Sequence, residues 1–182
     1  MKRLLVLMAL ACTSVASQAD GATTRLVQPK GSELKLVLLK NNNELSASFS
    51  GQVWVTGTFH GRWPAGAGAL AYTSPEYVLL PDSASKSALP HFVIKDPPHV
   101  LSYKVRSIEI ENGEEALRLA VGDAGAQRLI DRKANSVRAT GRFQIHSLVV
   151  GVECDAPWAK AKVLRVEIPE KIATHQKLSE GC

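Results

Sequence analysis

The alternation of residue types between Gln52 and Trp63 constrains the fold more than any other feature of this 182-residue chain. The run reads Q-V-W-V-T-G-T-F-H-G-R-W, in which Val and Phe alternate with Trp, Thr and His. Period-two alternation of strand-forming residues predicts a β-strand with one buried face. Gly57 lies inside the run, where a glycine is typical of a bulge or a tight bend. We therefore predict a long, bent strand.

The pattern V-x-x-T-G-x-F occurs twice, at Val53–Phe59 and at Val137–Phe143. Two strands with the same mid-strand glycine are expected to bend equivalently around a small barrel. With one match over seven positions, similar strand chemistry explains the repeat better than duplication does.

Short apolar runs bounded by turn residues predict the other strands. In the N-terminal region 20–51, a polar leader precedes a hairpin with its turn at Asn41–Asn43. Residues 81–99 contain four prolines and predict an irregular stretch. The remaining predicted strands are 34–39, 76–80, 137–148, 149–154 and 158–168, and residues 169–182 are expected to form a short polar tail.

The segment 107–121 predicts a β-hairpin. Two apolar runs flank Asn112-Gly113, a pair that accepts the positive φ angles of a type I′ turn. Asp123 then follows as a helix-capping residue, and the pattern after it predicts a single helix over about 123–133.

The order of these elements resembles a barrel of the OB type, in which one helix stands between the third and fourth strands. The region 52–168 is similar to the uncharacterised exported OB-like domains of bacteria, whose V-x-V-x-G-x-F/L strands bracket the barrel. The resemblance rests on glycine positions and strand order. It implies a mainly β fold, namely a small antiparallel OB-like barrel with one helix before the last two strands. The alternative is an antiparallel β-sandwich.

The first nineteen residues have the three parts of a secretory signal. Lys2 and Arg3 precede the apolar stretch Leu4–Cys12, and Ser17-Gln18-Ala19 predicts cleavage after Ala19. Nine apolar residues are too few to span a bilayer, so we expect a periplasmic or secreted product with no transmembrane segment after cleavage. The alternative is a lipoprotein anchored through Cys12.

Cleavage leaves two cysteines, Cys154 and Cys182. In an oxidising compartment two cysteines usually pair, which predicts a disulfide between them. The alternative is two free thiols, with Cys154 as a reactive group.

Aromatic residues gather in the first two predicted strands of the barrel and their connecting loop. The early strands and adjoining loops of OB-type barrels bind extended ligands, although packing of the barrel end explains the same residues. The candidate ligand-binding residues are Trp54, Arg62, Trp63, Tyr72 and Tyr77.

No catalytic motif stands out in the sequence. The S-x-x-K match at Ser83–Lys86 lies between prolines and predicts a solvated turn. The histidines show no metal-ligand spacing, so neither a metal nor another cofactor is expected. These histidines are His60, His91, His99, His146 and His175.

The sequence therefore favours a non-enzymatic periplasmic or secreted binding module. Its partner is an envelope protein, a glycan or a small ligand, and an inhibitor or immunity-like role fits the size. Loss of Lys2 and Arg3 with the signal lowers the formal charge from +5 to +3, and scattered basic residues argue against nucleic acid. The alternative is a small metal- or thiol-dependent hydrolase, with His146 activating Cys154 beside Asp155.

Overall fold

A computed structural model of the chain describes residues 17–19, 22–42, 44–64, 73–168 and 173–176, to which the structural statements below refer. It contains twelve strands and two helices in that part of the chain. In chain order they are β1 (Ser17–Ala19), β2 (Ala22–Val27), β3 (Lys35–Asn42), β4 (Glu44–Ser50), β5 (Gln52–Arg62), β6 (Glu76–Pro81), α1 (Ser83–Ala88), β7 (His91–Asp96), β8 (His99–Tyr103), β9 (Ile108–Ile110), α2 (Gly113–Ile130), β10 (Ser136–Glu153), β11 (Ala156–Glu167) and β12 (Ala173–Gln176).

The predicted mainly β architecture is confirmed. Five strands close a ring in the order β5-β6-β9-β11-β10, and β10 pairs back with β5. All pairs in the ring are antiparallel except β9 with β11, which is parallel. Helix α2 lies between the third and fourth ring strands, where the OB-like prediction requires its helix. A second sheet of order β1-β2-β7-β8 packs against the barrel.

The two V-x-x-T-G-x-F strands are direct neighbours. They pair antiparallel with Gly57 opposite Gly141, and Phe59 and Phe143 stack in the core with ring centroids 6.1 Å apart. Of the bulge or tight bend expected at Gly57, the bulge is absent, because the register of β5 with β6 and β10 runs through Gly57 unbroken. A Cβ at this position would collide with the Leu80 carbonyl oxygen, so close approach of β6 is the physical reason for the glycine.

The irregularities of the barrel lie in β10 instead. Its register with β11 shifts between Gln144 and Ile145 and again between His146 and Val149. Ser147 has a φ of 53° at this point. Beyond it, β10 leaves β5 and pairs with β4, so one long strand serves two neighbours in succession.

The predicted hairpin over 107–121 is wrong, because helix α2 begins at Gly113. Glu, Ala, Leu and Arg are strong helix formers, and Ala116, Leu117 and Ala120 are buried at helical spacing. The helix is kinked at Gly122, which has a φ of 74°. Residues 123–130 of the expected single helix are helical, but its start and end at 123–133 are corrected to 113–130.

The prediction of an irregular stretch over 81–99 is also wrong. Asp82 caps α1 by accepting a hydrogen bond of 2.7 Å from the Ser85 amide. β7 and the start of β8 follow, joined at the cis Pro97–Pro98 bond. The prolines lie at the ends of these elements, where they cost no ladder hydrogen bond.

The predicted N-terminal hairpin is present as β3 and β4, and it extends the sheet along β10. Buried side chains of both sheets form one core cluster. The predicted signal and its lipidation alternative at Cys12 concern residues 1–19, of which only 17–19 are described. In the described residues no helix is long and apolar enough to cross a membrane.

Candidate functional site

A cleft of about 830 Å³ opens over β6 and β9. Ser74 and Pro75 line one part of it, at the end of the β5–β6 connection. Pro157 and Trp158 line another, just after the β10–β11 turn. In OB-type barrels the second and third strands and these two loops form the ligand-binding face. The position of the cleft therefore marks it as the candidate site.

The cleft forms because β9 is only three residues long. The chain turns at Glu111 and Asn112 into α2, and this turn supplies a wall. Gly113 begins the helix directly against the ring of Tyr77 and leaves no space for a side chain there. On the other side, the Trp158 ring lies against Gly151 in the same close way.

Asn112 fixes the wall to β11. Its Nδ2 donates to the Val163 carbonyl oxygen and its Oδ1 accepts from the Val163 amide, both at 2.8 Å. Nδ2 also donates to Glu115 at 2.9 Å. A side-chain amide that satisfies both backbone groups of a neighbouring strand holds the turn in one geometry. The wall is therefore rigid before any ligand binds.

The cleft is strongly acidic. Glu76 forms an ion pair with Arg62 at 3.1 Å, and Glu109 forms one with Lys160 at 3.2 Å. Within the described part of the chain, Glu111 and Glu114 have neither an ion pair nor a side-chain hydrogen bond. Together with Glu115, these side chains give the cleft five carboxylates.

Tyr77 lies at the base of the cleft with its hydroxyl buried and without a hydrogen-bond partner among the described residues. Burial raises the pKa of Tyr77 to about 12, and the negative charge of Glu114 adds to the effect. The phenol therefore stays neutral at physiological pH. Its missing hydrogen bond lowers the stability of the folded protein.

The arrangement is suited to binding positive charge. Free carboxylates beside an aromatic wall attract ammonium or guanidinium groups, and the same carboxylates repel phosphates. The usual nucleic-acid role of OB-type barrels is therefore disfavoured at this face.

The structure separates the predicted ligand-binding residues. Tyr77 lines the cleft, and Arg62 reaches its edge through Glu76. Trp54 is near the opposite end of β5 from Arg62, beyond the reach of the cleft. Tyr72 lies outside the described residues. The five residues therefore do not form one site.

Trp63 anchors α2. Its indole Nε1 donates to the Leu129 carbonyl oxygen at 2.7 Å, in addition to the Arg132 amide, which donates to the same oxygen at 3.0 Å. The guanidinium of Arg132 lies 3.9 Å from the centroid of the Trp63 ring. Packing of the barrel end is the role supported for Trp63.

Most of the cleft was missed at the sequence level. Its acidic residues come from S-I-E-I-E-N-G-E-E at 107–115, a segment whose sequence pattern predicts a hairpin. Four glutamates in nine residues were the available signal. Trp158 was assigned to a strand without a functional role, because nothing in its own segment indicates what it faces.

Neither version of the hydrolase alternative is assembled in the described residues. No group of three or more His, Cys, Asp or Glu is placed to hold a metal ion there. His146 donates to or accepts from Ser147, and Cys154 lies eight residues further along, roughly 25 Å for an extended strand. Asp155 accepts a hydrogen bond from the Tyr103 hydroxyl at 3.2 Å. The S-x-x-K match opens α1 rather than a turn, and within the described chain Ser83 makes no side-chain hydrogen bond to Lys86.

Among the described residues the predicted disulfide is not found, and Cys154 is an exposed, free thiol there. Its expected partner, Cys182, lies outside the described residues.

No protein-family model, curated protein or solved structure matches the chain.

Proposed function

We propose that this protein is an exported, non-enzymatic binding module whose cleft over β6 and β9 binds a cationic segment of a partner protein. The single observation that carries the proposal is the cleft itself, in which Glu111 and Glu114 have no counter-ion among the described residues and Trp158 forms part of the lining. A module that captures a basic segment fits an inhibitor or immunity-like role against another envelope or secreted protein.

The shape of the cleft supports a peptide rather than a small ion. Its volume of about 830 Å³ accommodates several residues of an extended chain. A lysine or arginine has an apolar stem and a charged head, so it matches an aromatic wall beside carboxylates. The fixed turn at Asn112 lowers the entropic cost of binding, because the wall is ordered in advance.

Titration with a fluorescent decapeptide of alternating Arg and Ala tests the proposal at 150 mM salt, with a Glu and Ala decapeptide as the negative probe. We expect binding of the Arg peptide only. Glu111→Lys with Glu114→Lys should weaken it by about tenfold or more, since two like charges replace two attractive ones. Glu153→Lys, an exposed charge outside the cleft, is the control variant and should change affinity less than twofold.

Trp158→Ala separates a specific site from general attraction to negative charge. The variant keeps every carboxylate but removes the aromatic wall, so binding should again weaken by about tenfold. Equal affinity in the wild type and the Glu111/Glu114 double variant, or absence of binding at all, contradicts the proposal.

The export part of the proposal rests on the N-terminal signal. Expression of the full chain in a bacterium should give a periplasmic product whose first residue is Asp20, as measured by intact-mass analysis. A product that begins at Cys12 with a lipid supports the anchored alternative, and a cytosolic product with Met1 contradicts export.

A further inference from the structure

The outer face of β5, β10 and β11 carries a second, oppositely charged surface. Cross-strand pairing brings positions that are far apart in sequence into adjacent rows, such as His60 with Arg138 and Gln144 with both Trp54 and Arg165. Their neighbours in each strand point into the core. We call this surface the basic face, and its cationic or titratable side chains are His60, Arg62, Arg138, Arg142, His146, Lys162 and Arg165.

Several of these cations lack a carboxylate partner in the described part of the chain. Arg138 donates from Nε to the His60 ring at 3.4 Å rather than to an acid. Lys162 and Arg165 have no ion pair there. The acids on the surface are Glu76 and Glu167, which pair with Arg62 and with Arg142 at 2.9 Å. The face therefore has an excess of positive charge.

Neutral hydrogen-bonding groups lie between the charges. The Thr58 and Thr140 hydroxyls are 3.0 Å apart at the centre of the face. Thr56 and Gln144 occupy the next two rows. Hydroxyl and amide groups can both donate and accept, which is what a surface needs to bind sugar hydroxyls.

A groove of about 290 Å³ continues the face beside Trp54. Lys30 and Pro29 line its far side, and Ala88 lines its end. The guanidinium of Arg142 lies 4.8 Å from the centroid of the half-buried Trp54 ring. Glu33 also lines this groove and opposes the charge of Lys30, so the indole with the Arg142 guanidinium beside it is the part that suits a sugar ring bearing a negative group.

We propose that the basic face and the Trp54 groove bind an anionic polysaccharide. Charge complementarity requires an anion, and the row of cations along three strands fits a polymer better than a single small ion. Single-stranded nucleic acid is less well matched, because it is held by successive stacking aromatics. Of the outward aromatic rings in the described part of these three strands, Trp158 lines the acidic cleft, which leaves Trp54 among the cations of the basic face. Sugar hydroxyls suit the threonines and Gln144, which nucleic-acid recognition does not need.

Calorimetric titration at 150 mM salt with a heparin-derived sulfated hexasaccharide tests the proposal, with neutral dextran and oligo(dT) as comparison probes. We expect the sulfated sugar to bind, dextran not to bind, and oligo(dT) to bind at least tenfold more weakly. Arg138→Glu with Arg142→Glu should lower affinity for the hexasaccharide by about tenfold or more. Lys104→Glu with Arg106→Glu changes net charge equally at exposed positions outside the face, and it should cost less than twofold.

Trp54→Ala keeps all charges and should still weaken hexasaccharide binding by about tenfold. Thermal unfolding of each variant shows whether the barrel is intact. Equal losses in the two charge-reversed variants, or equal affinity for oligo(dT), overturn the proposal, as does absence of binding. The Arg138/Arg142 variant should bind the Arg decapeptide as the wild type does, so failure of this proposal is distinguishable from failure of the cleft.

Discussion

The acidic cleft and the basic face are two regions of one barrel that differ in charge and in construction. The cleft depends on a three-residue strand and a tight turn into a helix. The basic face depends on three long strands, β5, β10 and β11. Ion pairs mark their border, Arg62 with Glu76 and Lys160 with Glu109. The small net charge of the chain is thus the sum over two surfaces of opposite charge. Strand pairing brings together residues of like charge that are scattered along the sequence.

The contact between β5 of the basic face and β6 of the cleft should show the largest effect. Gly57→Ala places a Cβ against the Leu80 carbonyl oxygen, and backbone cannot move aside as a side chain can. We expect a loss of roughly 3 kcal/mol or more in the free energy of unfolding, with both ligands lost together. Thr58→Ala, an adjacent outward position, should cost less than about 1 kcal/mol. Chemical denaturation measures the free energy of unfolding of both variants. An unchanged value for Gly57→Ala contradicts the close approach of β6 as the reason for the glycine.

Combining the two charge-reversed pairs tests whether the regions are independent. Glu111→Lys and Glu114→Lys should affect the Arg decapeptide, and Arg138→Glu and Arg142→Glu the sulfated sugar. In the quadruple variant each affinity should equal that of its own double variant within about twofold, because distant sites are additive to within ~0.5 kcal/mol. A larger deviation in calorimetric affinities shows that the regions communicate.

Tyr77→Phe should stabilise the cleft side of the barrel by about 1 kcal/mol, since it removes a buried hydroxyl with no partner and keeps the ring. The folded-state pKa of Tyr77 is raised to about 12 from 10.0. Wild-type stability should therefore fall as pH rises from 10 towards 12, while the variant lacks this contribution. Urea unfolding at pH 7 and pH 11 measures both effects, and a destabilised variant contradicts them.

A smaller effect is expected on the basic face. Burial and the charges of Arg138 and Arg62 lower the pKa of His60. Because its pKa is lowered in the folded protein, His60 is neutral there and contributes to folding stability above pH 6.5. This contribution is lost as the pH falls below 6.5. A bound anion offsets the two arginines, so sulfated-sugar affinity should rise about threefold between pH 7.5 and 5.5. His60→Gln should reduce that rise, and an identical rise in the variant excludes His60 as its source.

The strands of the barrel could be predicted from the sequence, but only part of the barrel surface could. Period-two alternation located β5, and short apolar runs bounded by turn residues located β6, β10 and β11, because each of these strands buries one face against a single core. The helix at 113–130 was missed because Leu117, Leu119 and Val121 also alternate, and the short-range Asn112-Gly113 signal does not exclude a helix start. The cleft and the basic face depend on which strands pair and in what register, and no local pattern contains that information.

The brevity of β9 has a dynamic consequence. This strand pairs with β6 at two residue positions and with β11 at two more, so the ring has its fewest paired residues at β9. We call this place the seam. Local opening of the barrel should begin at this seam, and the amide protons of Ile108–Ile110 should exchange with solvent before those of β5 or β10. A ligand lying across the cleft would bridge the seam from both sides, so occupancy should appear as slowed exchange in a strand that the ligand barely touches.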